Sequence, residues 1–356
     1  MKLTLPIKIL IIALVTLLCI LLLAYSVIGI IFLGPSKDAS RMLVSTLMET
    51  SAAKFVPRLY MSKARINAII SSTEKVVDNI EIDASLIKLP GTEATEAEID
   101  NSLTPEVSSP AEDGTTAPEQ NEVLPQEPIN DSGIEIHDIK SSNYNGKMMI
   151  IKDPTRVFVG VPEAGFGEGK KGMTVFEMVE HYGAVAGTNA GGFYDPNGSG
   201  SGGIPEGIVI CNGEILWDDG KAASIAGIDE KGILYVGQMT AKAAINKGIK
   251  YAASYGPALI MNGEPISQSA RGYQPRTAIG QRADGAILLL VINGRSVSSL
   301  GATIEDLIEI FIQYEAVNAT NLDGGSSSIM VYEGEYLTDS AYIFGERVVP
   351  TSILIK

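Results

Sequence analysis

The stretch "GIVICNGEILW", residues 207–217, sets two apolar runs on either side of Asn212-Gly213. Asn and Gly both accept φ > 0, which a two-residue turn matched to strand twist requires, so the segment reads as an antiparallel hairpin. The same punctuation returns at Asn262-Gly263, between "ALIM" and "EPI", and at Asn293-Gly294, after "AILLLVI". Repeated hairpins predict a meandering sheet. Two helices interrupt it: Thr174 to Glu177 spell a capping box for a short helix ended by Gly183, and Thr303 caps a second with Ile304, Leu307, Ile308 and Phe311 on one face. No repeat of solenoid or propeller period is present. Residues 133–356 are therefore expected to be an α+β domain, a largely antiparallel twisted β-sheet with a few packed helices.

Everything before residue 133 has another character. Residues 9–33, "ILIIALVTLLCILLLAYSVIGIIFL", carry no charge over 25 positions. At ~1.5 Å per residue this is long enough to cross a bilayer, and it exceeds the ~7–15-residue apolar core of a cleavable signal peptide. Residues 1–35 are expected to be a transmembrane anchor. Lys2 and Lys8 before the span are matched by Lys37 and Arg41 after it, so flanking charge selects no side. One N-terminal anchor followed by a long tether and a large domain fits export: a single-pass cell-membrane protein with its N-terminus in the cytoplasm and its C-terminal domain outside.

Residues 36–89 are rich in helix formers, with Leu43, Leu47, Phe55, Leu59 and Ile66 at roughly helical spacing and Pro57 as a break. They read as a membrane-proximal helical stalk packed on its own neighbours. Residues 90–132 hold six prolines among Glu, Thr and Ser, with few large apolar residues, a composition that buries too little surface to fold. This is expected to be a disordered acidic linker. The chain's net charge of -15 argues against a nucleic-acid partner, but eleven of its acidic residues fall in positions 92–131, with no Lys or Arg among them. The charge belongs mostly to the linker. Cys19 and Cys211 are the only cysteines, one in the span and one in an expected strand, so there is no disulfide framework.

Four stretches of the domain are candidates for chemistry. "NLDGGSSSIM", residues 321–330, presses Asp323 between an apolar run and two glycines; Asp-Gly suits a hairpin, or the glycines bare backbone N–H groups for a substrate. "GTNAGGFYDPNGSGSGG", residues 187–203, is a glycine-rich loop, either a lid or a plain connection. "YGPALIMNGE", residues 255–264, reads as a strand and hairpin. "QPRTAIGQR", residues 274–282, puts Arg276, the side chain suited to two-pronged phosphate binding, at a strand start where Arg is ordinarily solvated. Neither His137 nor His181 neighbours a Cys or another His, so no metal and no cofactor is expected. The glycine run has no Gly-Lys of a nucleotide loop, and "GSGSG" at 198–202 lies within a loop rather than between a strand and a helix.

In order along the chain, "NAGGFYD", "YGPALIMNGE", "RTAIG" and "VNATNLDGGSSS" resemble the signature of the phosphodiester glycosidase family. The resemblance covers roughly residues 133–356. It departs at Gly192, where the family often has a second aromatic, at Ser326, where a third glycine is common, and in lacking the cysteines of an animal member. What it implies is cleavage of the anomeric C–O bond of a sugar-1-phosphodiester, expelling a phosphate monoester that needs little acid assistance. Such a reaction asks for charge stabilisation at the phosphate and a carboxylate at the oxocarbenium-like centre. The resemblance and the residue chemistry place Arg276 in the first role and Asp323 in the second. Gly324, Gly325 and Ser326 are expected to form an anion nest, Asn189 to orient sugar hydroxyls, and Gly191, Thr277 and Asn321 to join the substrate site. Asp195 and Glu206 are candidates for a second carboxylate. The expected partner is a glycan or phosphoglycan of an exopolysaccharide or cell envelope. Two rival readings remain: a non-catalytic envelope protein binding the same ligand, and a metal-dependent phosphodiesterase cutting the P–O bond.

Overall fold

The structure is a computed structural model that describes residues 5–50, 53–71, 80–89, 133–266, 272–342 and 344–356. The expected linker at 90–132 falls outside these. The chain is α+β: three antiparallel sheets and a small number of helices, preceded by a long apolar helix.

The largest sheet has seven strands, in spatial order Ile134–Lys140, Asn145–Ile151, Ile287–Ile292, Arg276–Arg282, Ala316–Asn321, Ala258–Met261 and Glu264–Pro265. A second contains Glu335–Tyr336, Met330–Tyr332, Ala186–Asn189, Ser352–Ile355 and Val157–Gly160, and a third Glu214–Asp218, Ile208–Cys211, Ile249–Ser254, Ala223–Asp229 and Leu234–Met239. The hairpins expected at Asn212-Gly213 and Asn262-Gly263 form, each Asn at positive φ. Two expectations fail. Asn293-Gly294 turns no hairpin, because Ile287–Ile292 is already paired on one edge with Asn145–Ile151 and on the other with Arg276–Arg282, leaving no edge for a returning strand. The sheets also do not meander: strands far apart in sequence interleave, as where Ala316–Asn321 lies between Arg276–Arg282 and Ala258–Met261.

The helices are α1 (Leu5–Leu33), α2 (Lys37–Glu49), α3 (Lys63–Ser71), α4 (Val175–Tyr182), α5 (Ala241–Asn246) and α6 (Ile304–Gln313). The expected capping box is present at Thr174/Glu177, Thr303 caps α6 as expected and forms a second box with Asp306, and Gly183 closes α4 in the left-handed conformation. α6 lays Ile304, Leu307, Ile310 and Phe311 against Leu288, Leu290 and Ile292 of the large sheet, while Ile287, Leu289 and Val291 face the central core shared with the other sheets. Having both faces covered explains why that strand is apolar without alternation. α4 packs Val175, Met178 and Val179 on the second sheet, against Val331 and Leu354.

The N-terminal segments pack on more than one another. Phe32, Val44, Met61 and Ile66 form a small core of their own. The end of α2 then lies on the large sheet: Thr46 accepts from the Tyr273 N–H through Oγ1 (3.1 Å) and from Gln274 Nε2 through its carbonyl (2.8 Å). A Cβ at Gly272 would lie 2.2 Å from the Thr46 nitrogen, so only glycine allows this approach. Residues 80–89 also dock, with Ile82 and Ile87 in the central core, Lys88 N–H on the Ala283 carbonyl (2.7 Å) and Glu81 paired to Lys247 (2.6 Å).

Candidate active site

The site forms where strand ends of the first two sheets meet. Asp323 follows Ala316–Asn321, Arg276 opens its neighbour Arg276–Arg282, and residues 191–195 leave Ala186–Asn189. Backbone bonds stitch these ends together: Asp323 N–H to Ala190 O (2.8 Å), Leu322 N–H to Thr277 O (2.8 Å) and Gly325 N–H to Pro275 O (2.8 Å). The opening between them is a pocket of ≈ 290 Å³, at the lower edge of the ~300–1,000 Å³ usual for small-molecule sites. Its walls bring together Asp195, Glu206 and Asp323, four cations (Lys54, Arg276, Arg295 and Arg347), and the rings of Phe193 and Tyr255.

Asp323 reaches this pocket, yet protein surrounds its carboxylate. Burial pushes it up to about 7, against the Ser327 hydrogen bond, the Arg347 charge and the Gly324 N–H, which favour the anion; the Asp195 charge adds to the rise. Asp195 and Glu206 are driven apart. Burial would raise Asp195 too, but Arg347 at 2.5 Å and the Gly200 N–H at 2.6 Å outweigh it and hold the group below its ordinary value. Glu206 is raised by burial and then by the charges of Asp219 and Asp195.

The cations are not equally available. Arg276, only 4% exposed, donates Nε to Ala302 O (3.1 Å) and Nη2 to Gly272 O (2.8 Å) and to Glu49 Oε2 (3.0 Å). The anion it holds is thus a carboxylate from α2. Arg295 grips Gln274 Oε1 with Nε (3.2 Å) and Nη2 (2.8 Å), and its pKa is lowered by burial and by Arg276. Arg347 sits over the Phe193 ring (4.8 Å to its centroid) and also donates to Ser326 Oγ (3.3 Å).

Several residues expected to touch substrate are instead bonded within the protein framework. Asn189 is fully buried, donating Nδ2 to the Asp323 carbonyl (2.6 Å) and accepting from Thr277 Oγ1 (2.8 Å), so it positions Asp323. Gly191 gives its N–H to Thr351 Oγ1 (2.8 Å), and the buried Asn321 gives Nδ2 to Gly256 O (2.8 Å). The expected nest is also different: the Gly324 N–H turns to the Asp323 carboxylate (3.0 Å) and the Gly325 N–H to a carbonyl, which leaves the arginines to meet an anion. Residues that sequence reasoning missed are Glu49, Lys54, Arg295 and Arg347, together with Phe193, Tyr255, Gln274 and Ser327, which lay unremarked inside quoted motifs. Arg347 in "FGERVVP" had no local signal; it is 152 positions from Asp195.

Comparison with known proteins bears on this geometry. Residues 182–356, which hold every pocket residue except Glu49 and Lys54, match the family model for phosphodiester glycosidase. An uncharacterized SPbeta prophage-derived protein of Bacillus subtilis is 30% identical over 213 residues, 56% of this chain; the match spans 31% of that relative's length. Among solved structures, the zebrafish N-acetylglucosamine-1-phosphodiester alpha-N-acetylglucosaminidase catalytic domain, auto-inhibited by its pro-peptide, superposes with a TM-score of 0.53 at 18% identity. That match covers 66% of this chain and 86% of the zebrafish one. A putative exported protein of Burkholderia pseudomallei gives 0.45 at 16% identity, over 60% of this chain and 74% of its own.

Proposed function

We propose, from the match of residues 182–356 to the phosphodiester glycosidase family model, that this chain is a membrane-anchored, extracytoplasmic hydrolase of sugar-1-phosphodiesters. The observation that carries the reading is Asp323, a carboxylate held near pKa 7 in a pocket edged by three arginines and a lysine. In this reading water adds to the anomeric carbon, the C–O bond to phosphate breaks, and the products are a free sugar and a phosphate monoester. The arginines stabilise the departing phosphate, and its low basicity removes most of the demand for an acid. Asp323 ionises within the working pH range and stabilises or attacks the oxocarbenium-like centre, or activates the water.

A second carboxylate is chosen by charge balance. Asp195 is neutralised by Arg347, whereas the raised Glu206 has no arginine partner among the described residues, so Glu206 is assigned the second role. Substrate phosphate takes the place of the Glu49 carboxylate at Arg276, with Arg295 and Arg347 beside it. The pocket's volume suits one sugar and its phosphate rather than a length of polymer. Anchoring comes from α1, 29 residues long, whose single charge, Lys8, lies in its first turn.

The test is a product assay with the full chain in detergent and a panel of glycosyl phosphodiesters, run in heavy-oxygen water. Label in the sugar supports the proposal. Label in the phosphate replaces it with P–O cleavage, and tight binding without turnover replaces it with the non-catalytic phosphoglycan-binding reading.

A further inference from the structure

We infer that this pocket works at the membrane surface, on glycosyl phosphodiesters whose phosphate is esterified to a lipid of the same bilayer. The inference rests on the hydrolase reading above and on α1 as a membrane helix, and adds to them a height.

Protein first clothes α1 at Tyr25. The Tyr60 hydroxyl donates to the Tyr25 carbonyl (2.9 Å), the two rings stack at 4.8 Å, and Tyr60 stacks on Phe32 at 5.0 Å. Phe32 itself is fully buried with Val44, Met61 and Ile66. The bare part, residues 5–24, is ~30 Å long, about the thickness of a hydrocarbon core, with Lys8 near its outer end where a lysine can reach the far interface. Tyr25 and Tyr60 then fall where aromatic residues gather at a bilayer interface. A helix end built into a protein core also differs from a segment made to be cut away.

From there the path to the pocket is short. Only Gly34, Pro35 and Ser36 separate α1 from α2, and Ser40 Oγ, in the first turn of α2, donates back to the Phe32 carbonyl (3.1 Å). α2 ends at Glu49, which is bonded to Arg276 in the pocket at 3.0 Å. The rest of α1 beyond Tyr25 spans ~12 Å, α2 ~20 Å and the three connecting residues up to ~10 Å, so the pocket lies within about 40 Å of the interface even if all run in line. Ile28, Leu43 and Leu47 share one apolar cluster, which folds α2 back and shortens that height.

The acidic stretch at 90–132 does not lengthen it. On one side lie residues 80–89, docked through Lys88 and Glu81; on the other begins the edge strand Ile134–Lys140. Both flanks belong to the same body as the pocket, so the height of the pocket is set by α1 and α2. A pocket sized for one sugar and a phosphate, and joined to the bilayer by this short, packed path, is kept within reach of sugar phosphates carried by lipids of the same membrane. Hydrolysis adds one water, leaving the lipid phosphate monoester in the membrane and releasing the sugar.

The experiment reconstitutes the full chain in vesicles with the same panel of glycosyl 1-phosphodiesters presented in three ways: as a long-chain isoprenyl ester in the same vesicles, as that ester in separate vesicles, and as a soluble ethyl ester. Shared-membrane substrate should be turned over with kcat/KM ~10²-fold or more above the other two, the gain expected of effective concentration. A Gly/Ser insertion after Pro35 long enough to double the reach should remove most of that gain and leave the soluble rate unchanged. Turnover of the soluble ester with no shared-membrane advantage overturns this inference and leaves the hydrolase reading standing. Failure to cleave any of the three overturns the hydrolase reading, and this inference with it.

Discussion

At the scale of single residues, the site separates three carboxylates by environment. Asp323 is raised to about 7 mainly by burial, Glu206 is raised, and Asp195 is lowered by Arg347 against its own burial. If Asp323 acts as an anion, kcat/KM in the free enzyme should climb as pH rises through about 7, and a pH–rate profile checks this. Asp323→Asn should lower kcat by about 10³-fold or more while phosphoglycan binding, followed by calorimetry, persists. Its stability has a definite sign. A raised carboxyl pKa means that folding favours the protonated form, so this contribution is full below the ordinary value of 3.8 and is lost as pH rises through 7. The Asn variant carries no such loss, and thermal melts should show it matching the parent in acid and exceeding it above pH ~7. A variant less stable than the parent at high pH would show that the Asp323 charge is favourably paired. Arg276→Lys should cost more than phosphate affinity, because the guanidinium fork also ties Ala302 to Gly272 and a lysine cannot hold both and still reach an anion.

At the scale of elements, α2 is the least expected contributor. Its sequence reads as stalk, yet Thr46 and Glu49 reach the start of the Arg276–Arg282 strand. Because Glu49 supplies a carboxylate where the proposed reaction needs a phosphate, Glu49→Gln keeps the wall and removes the competing charge. Inorganic phosphate should then inhibit, or bind by titration, about tenfold more tightly, a difference of ~1.4 kcal/mol. A weaker phosphate interaction in that variant would place Glu49 among the groups that hold substrate. The glycine-rich loop at 187–203 is also more constrained than its composition suggests, since Tyr194 N–H meets Ile204 O (2.9 Å), Glu206 N–H meets Gly192 O (2.9 Å) and Asp195 is fixed by Arg347. Arg347→Ala should therefore disturb two things together, freeing the Asp195 loop and raising the Asp195 pKa, visible as increased proteolysis within the loop and an added acidic limb in the pH profile.

At the scale of the whole molecule, a fragment beginning at residue 133 omits Ile82 and Ile87, each 7% exposed in the central core. Losing both should cost roughly 3–5 kcal/mol, so that fragment should melt well below one in which residues 80–89 are kept, and denaturant titration of the two would show it. What the sequence determined by itself is everything with a local cause: the apolar length of α1, the caps of α4 and α6, two of the three Asn-Gly hairpins, the antiparallel α+β class and the four motifs that carry the family resemblance. The third Asn-Gly misled because whether a turn becomes a hairpin depends on an empty sheet edge, and Ile287–Ile292 has none. The division of labour within the site was illegible for a related reason. Which carboxylate is neutralised, and which asparagine supports rather than binds, are sums over neighbours that the chain brings together only on folding. Glu49 meets Arg276 across 227 positions, and Arg347 meets Asp195 across 152. Burial and charge set those pKa values, and both are properties of the packed site rather than of any stretch of sequence.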